Sequence, residues 1–77
     1  MGVLNLTVIN ERTNAIFNYE VDSEESVENL KALIEVDSKI KLENQILKFE
    51  GKALVQNQMT LKQIGIKTNE LLSLEEK

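Results

Sequence analysis

Any chemistry in this chain of 77 residues must come from carboxylates, hydroxyls and amines, because it contains no histidine and no cysteine. The commonest general base and metal ligand is therefore missing, and so is a thiolate nucleophile. Serines and threonines are plentiful, but no imidazole is present to activate one, and no spacing singles out a Ser–Lys pair. The acidic residues are scattered. Glu24, Glu25 and Glu28 form the one local group. They sit at the start of a helical pattern, where carboxylates interact favourably with the helix dipole and need no catalytic role. Asp22 and Asp37 cannot by themselves hold a metal. Gly2, Gly51 and Gly65 are too far apart in sequence to form a phosphate-binding loop. These residues speak against an enzyme, a metal site or a cofactor, and for a module that binds another protein.

The bulk properties narrow the partner. Nine basic residues face thirteen acidic ones, and the net charge of −4 argues against nucleic acid, whose phosphates call for a basic face. No apolar run is long enough to cross a membrane and none resembles a leader peptide. The expected setting is the cytoplasm, with the nucleus also open. A chain this short removes only about 60% of its unfolded surface from water. The simplest way to bury that much is one helix laid on one sheet.

The spacing predicts that helix within residues 23–38, and most firmly over 27–38. Val27, Leu30 and Ile34 recur at helical intervals, and Leu33 widens the stripe. Ser26 is placed to cap the first turn, and Lys39 and Lys41 follow the end, where positive charge is favourable. Before the helix, residues 3–9 and 15–21 alternate in polarity around a polar loop, 10–14, which reads as a β-hairpin. After it come Ile40 and Leu42, expected to cover the helix end, and a third strand at 45–49. A turn at 50–52, with Gly51 available for positive φ, leads to a short strand at 53–55. Residues 59–64 read as a one-turn helix stopped by Gly65, 70–74 as a last strand, and 75–77 as a frayed tail. The predicted core is Leu4, Leu6, Val8, Phe17, Tyr19, Val21, Val27, Leu30, Ile34, Ile40, Leu47, Leu54, Leu61, Ile66, Leu72 and Leu74.

Hairpin, helix, strand, short strand, one-turn helix, strand is the order of an α+β fold of the β-grasp kind. Here a family resemblance becomes specific. VENLKALI is similar to the ubiquitin helix pattern, ILKFEGKAL to its third strand, turn and fourth strand, TLKQIGIK to the stretch before its last strand, and LLSL to that strand. The chain thus resembles a ubiquitin-like domain, with a mixed sheet of about five strands crossed by one α-helix. A narrower likeness lies in LTVINERTNAIF and IGIKTNELLSL. These runs resemble the N-terminal ubiquitin-like domain of the DNA-damage-inducible shuttle proteins, a family that also carries a retroviral-type aspartic protease domain. The Asp-Ser/Thr-Gly signature of that protease is absent from this sequence. The resemblance implies a single domain over residues 1–77, excised from a longer protein. The last five residues, SLEEK, lack the terminal Gly-Gly of conjugated modifiers, which makes the modifier reading the least favoured.

The resemblance also implies a binding face. Ubiquitin presents an apolar patch on the sheet face away from its helix. Carried over, the loop leucine of that patch falls near Arg12, its third-strand isoleucine on Lys48, and its last-strand histidine and valine on Ser73 and Glu75. All four positions are polar here. A receptor pocket made for an aliphatic side chain would have to bury the Lys48 ammonium, which is costly unless the charge is paired. Alternation meanwhile turns Ile9, Ile16, Ile46 and Leu71 outward on the same face, Ile9 opposite Ile16. The expected partner surface is therefore Ile9, Ile46, Lys48, Leu71, Ser73 and Glu75, with Ile16 and Arg12 at its edge. The expected partner is ubiquitin or a proteasome receptor subunit, bound by a monomeric domain. Glu70, Glu75 and Glu76 would steer the basic-ringed apolar face of ubiquitin. The alternative is an intramolecular or oligomerising scaffold domain.

Overall fold

The computed structural model describes residues 2–77. Val27–Ser38 form the one long helix, α1, over the span the periodicity predicts. Ser26 caps it, its hydroxyl accepting the Asn29 N–H at 3.1 Å. At the other end Lys39 follows the last helical residue, as expected, and also closes the helix: it takes a left-handed conformation, φ 65°, and its N–H donates to the Glu35 carbonyl. Val27, Leu30 and Ile34 are buried, but Leu33 is 45% exposed and does not widen the buried stripe. The stripe is widened on its other edge instead, by Lys31, which is buried.

The hairpin pairs β1, Val3–Asn10, with β2, Ile16–Asp22, in antiparallel register from Val3↔Asp22 to Ile9↔Ile16. Its loop is held from within. The Asn10 side-chain carbonyl accepts the N–H groups of Arg12 and Thr13, and Asn14 sits at φ 62°, a conformation Asn tolerates. β2 starts one residue later than the alternation suggests, because the Ala15 N–H donates to the Thr13 hydroxyl at 3.3 Å and the Asn10 carbonyl accepts the Asn14 N–H at 2.7 Å, which leaves the Asn10 N–H to Ala15 carbonyl bond without its reciprocal partner.

After a single 3-10 turn, Leu42–Asn44, β3 spans Gln45–Phe49 and β4 only Lys52–Ala53. Glu50 and Gly51 both have positive φ, the signature of a two-residue hairpin turn. The fourth strand is shorter and earlier than expected. Leu54 still donates to the Leu47 carbonyl, but its own carbonyl accepts from the Lys31 ammonium at 2.9 Å. Beyond it the chain is drawn toward the start of α1. The Met59 and Asn57 carbonyls accept the Val27 and Glu28 N–H groups, which a helix start leaves without intrahelical partners. Val55 is thereby left 76% exposed, outside the sheet.

The short helix α2 is Leu61–Ile64, two residues shorter than the reading from Met59. The reason is a capping box: the Thr60 hydroxyl accepts the Gln63 N–H, and the Gln63 side chain accepts the Thr60 N–H. Gly65 ends α2 at φ 96°. The last strand, β5, is Leu71–Glu76. Its end corrects the expectation of a frayed tail. Glu75 and Glu76 pair with Ile46 and Gln45, and the Lys77 N–H donates to the Asn44 carbonyl at 2.9 Å.

The sheet order is β2-β1-β5-β3-β4, with β1 and β5 parallel at the centre. All predicted core residues are buried except Phe17 and Tyr19, which are only half-buried, and Phe49 joins the core unpredicted. The cause is dimensional. Five strands span about 19 Å, whereas one helix is about 10 Å across. α1 therefore leaves the inner face of the edge strand β2 partly uncovered.

Candidate protein-binding face

Seven of the eight residues expected at the partner surface lie on the sheet face opposite α1, and the register shows how they meet. Ile16, Ile9, Ser73 and Lys48 form one row across β2, β1, β5 and β3. Leu71 lies on one side of that row, beside Thr7 on β1; Ile46 and Glu75 lie opposite each other on its other side. Arg12 stands apart in the exposed hairpin loop. It lines a shallow pocket of about 430 Å³ with Glu11, Glu75, Glu76 and Lys77.

The eight residues are not one apolar patch. Ile16 and Leu71 are about 60% exposed, at 60% and 58%, and Ile9 between them is half-buried. These three make a compact apolar group over the β2, β1 and β5 strands. Ile46 is cut off from it, because the Lys48 ammonium reaches diagonally to the Glu75 carboxylate at 3.0 Å. Both partners are partly exposed, so the pair itself adds little stability. Its effect is on recognition. A partner that covers Lys48 also covers the carboxylate that answers it, and the cost of an unpaired buried ammonium does not arise. The surface can therefore accept a contact that is apolar at Ile9, Ile16 and Leu71 and polar at Lys48 and Glu75.

Around it the polar side chains are tied to the sheet. Thr7 donates from its hydroxyl to the Asn18 side-chain carbonyl at 3.0 Å. Among the described residues no three acidic side chains gather in a way that could hold a metal ion. The Lys48–Glu75 pair has no signal in the sequence. Alternation places both residues on the face, but their meeting depends on the β3–β5 register, which reaches Gln45↔Glu76 only because β5 runs on past Leu74.

The comparisons agree with this architecture. A sequence model of the ubiquitin family matches residues 6–76. The Protein DNA-DAMAGE INDUCIBLE 1 of Arabidopsis thaliana is 39% identical over 59 residues, which cover 77% of this chain and 14% of that protein; the chain thus spans about a seventh of the length of this relative. The solution structure of the UBL domain of yeast Ddi1 superposes with a TM-score of 0.88 at 29% identity, covering 100% of this chain and 93% of that one. The UBL domain of Plasmodium falciparum Dsk2 superposes at 0.90 with 21% identity, over 99% of this chain and 100% of that one, a likeness of fold. With the family pattern running through 6–76 and the same five-stranded sheet and crossing helix, the chain belongs to the ubiquitin family.

Proposed function

We propose that this chain is a non-catalytic recruiting module of the proteasome-shuttle type, one part of a longer protein, and that it takes ubiquitin on its outer sheet face. The observation that carries the reading is the group of half-buried Ile9 with exposed Ile16 and Leu71, beside an ion pair that satisfies Lys48. An interface core needs a few desolvated apolar anchors, and a charged rim sets orientation and rate. Glu75 on the face, and Glu11 in the edge pocket that it shares with Arg12 and Lys77, suit a partner whose apolar surface is ringed by basic residues. A proteasome receptor subunit is the second candidate partner, supported by the likeness to shuttle-protein ubiquitin-like domains.

The test is a titration of isotope-labelled domain, followed by NMR, with ubiquitin and separately with proteasomal receptor fragments. Saturable shifts at Ile9, Leu71, Ser73 and Lys48 with ubiquitin are expected. Leu71→Ala or Ile46→Ala should weaken that binding by more than about 1 kcal/mol if each is an anchor, and Leu71 the more, since Ile46 lies beyond the ion pair. Glu75→Lys should act chiefly on the association rate and its salt dependence. Lys48→Ile should improve affinity for receptors that require an aliphatic residue there. Shifts with receptor fragments alone would transfer the role to the proteasome. Shifts with neither, together with changes on dilution of the free domain, would favour a self-associating scaffold.

A further inference from the structure

Lys31 leaves a positive charge unanswered inside the domain. The residue is 6% exposed, and an ammonium held so far from water is ordinarily met by a carboxylate. Here Nζ donates to two neutral oxygens, the Leu54 carbonyl at 2.9 Å and the Asn57 side-chain oxygen at 3.0 Å. An ammonium has three N–H groups, and the third finds no acceptor among the described residues. The chain has thirteen acidic residues. Yet the ion pairs among the described residues are Lys48–Glu75 and Lys62–Glu24, and neither involves Lys31.

This ammonium borders a cavity. Lys31, Leu54 and Asn57 line a pocket of about 290 Å³ between α1, β3 and the segment that follows β4. Lys77 lines it too. Burial first, and the nearby charge of Lys77 second, hold the Lys31 pKa below the usual lysine value, so two ammoniums face one space. The carboxylate on the wall is that of Glu43, which is exposed and pairs with neither of them. Two ammoniums and one carboxylate leave a single positive charge. Much of the remaining wall is apolar, from Leu42, Ile46, Leu47 and Val55.

We propose that this pocket binds a carboxylate carried on a short apolar stem, with the Lys31 ammonium and the Asn57 amide donating to its oxygens and Lys77 supplying the second positive charge. A carboxylate fits because it is the charge-assisted acceptor that the third Lys31 N–H lacks, and because one negative charge balances the pocket where a dianion would be repelled by Glu43. The apolar stem fits because the aliphatic walls gain nothing from a bare inorganic ion. A free short-chain acid and the C-terminus of a peptide share this chemistry. The site is separate from the group of Ile9, Ile16 and Leu71, so its failure leaves the sheet-face reading untouched.

The test titrates isotope-labelled domain at constant ionic strength with butyrate, with butyramide as the uncharged control, and with inorganic phosphate. A second arm uses a short peptide ending in valine, its C-terminus free or amidated. Saturable shifts at the Lys31 ammonium, Asn57 and Val55 are expected with butyrate or with the free peptide, and the tighter of the two identifies the source. Lys77→Gln, at an exposed position, should weaken binding by about two- to fivefold at low salt and less at high salt. Asn57→Asp places a carboxylate of the chain's own beside Lys31, and should abolish binding while the domain keeps a dispersed spectrum. Undiminished binding by Asn57→Asp, or equal shifts with butyramide, phosphate or the amidated peptide, would each overturn the proposal. So would the lack of saturable shifts with the peptide and with butyrate at about 100 mM, far above a millimolar Kd.

Discussion

Lys31 keeps an ammonium in the core with only neutral groups bound to it. Its Nζ donates to the Leu54 carbonyl and, at 3.0 Å, to the Asn57 side-chain oxygen. Burial first, and the charge of Lys77 second, pull its pKa below the usual lysine value. Between that lowered value and 10.5 the unfolded chain binds more protons than the folded one, so stability rises with pH through that window and is diminished below it. Tyr19 acts oppositely above about pH 10. Burial, then the bond to Asp37 and its charge, raise the phenol, whose contribution is present below 10.0 and lost above. Asn57→Asp puts a carboxylate where the amide oxygen now accepts. It should raise stability at neutral pH by about 1 kcal/mol, and flatten the alkaline rise measured by urea denaturation below pH 10. An unchanged midpoint would show that the two neutral acceptors already satisfy Lys31. Little of this was legible beforehand. Lys31 reads as one polar residue in an amphipathic helix, and only the fold brings Leu54 and Asn57 to it. Gln45 is similar: its side-chain N–H donates to the Lys31 and Ile40 carbonyls from a buried position that the pattern of a half-polar strand does not disclose.

At the scale of elements, what local rules control was legible and what neighbours control was not. The bounds of α1 follow from apolar spacing and the Ser26 cap, both contained in a dozen consecutive residues. The ends of β4 and β5 follow from partners far away in sequence: Lys31 for the first, Asn44 and Gln45 for the second. Phe17 and Tyr19 alternate like core residues, yet the width of the helix decides their burial. Two substitutions separate these influences. Leu30 is fully buried, and Leu30→Ala should cost about 2–5 kcal/mol through lost transfer energy and the cavity it leaves; near-native melting of that variant would mean that α1 packs by another face. Lys39→Gly should do the reverse. Lys39 ends α1 at φ 65°, and glycine takes that conformation without strain, so a gain of about 0.5–1 kcal/mol is expected in thermal or urea unfolding.

For the molecule as a whole, the order of elements was the legible part, because alternation, one helical stripe and the turn residues leave few ways to pack a chain this small. The sheet face was legible as a set of positions. Its division by the Lys48–Glu75 pair into Ile9, Ile16 and Leu71 on one side and Ile46 on the other was not, since register is a property of paired strands. The parallel pairing of β1 with β5, from Thr7↔Leu71 to Asn10↔Leu74, has a mechanical consequence. A pull through the two ends of the chain drags these central strands past each other along their length, so their hydrogen bonds carry the load together. A pull between Arg12 and Lys77 starts at neighbouring strand ends and opens the same bonds one after another. Single-molecule stretching should therefore give a distinctly higher rupture force for the end-to-end attachment than for the Arg12–Lys77 attachment. A machine that unfolds proteins by threading them from one end would meet, in this domain, its strongest direction.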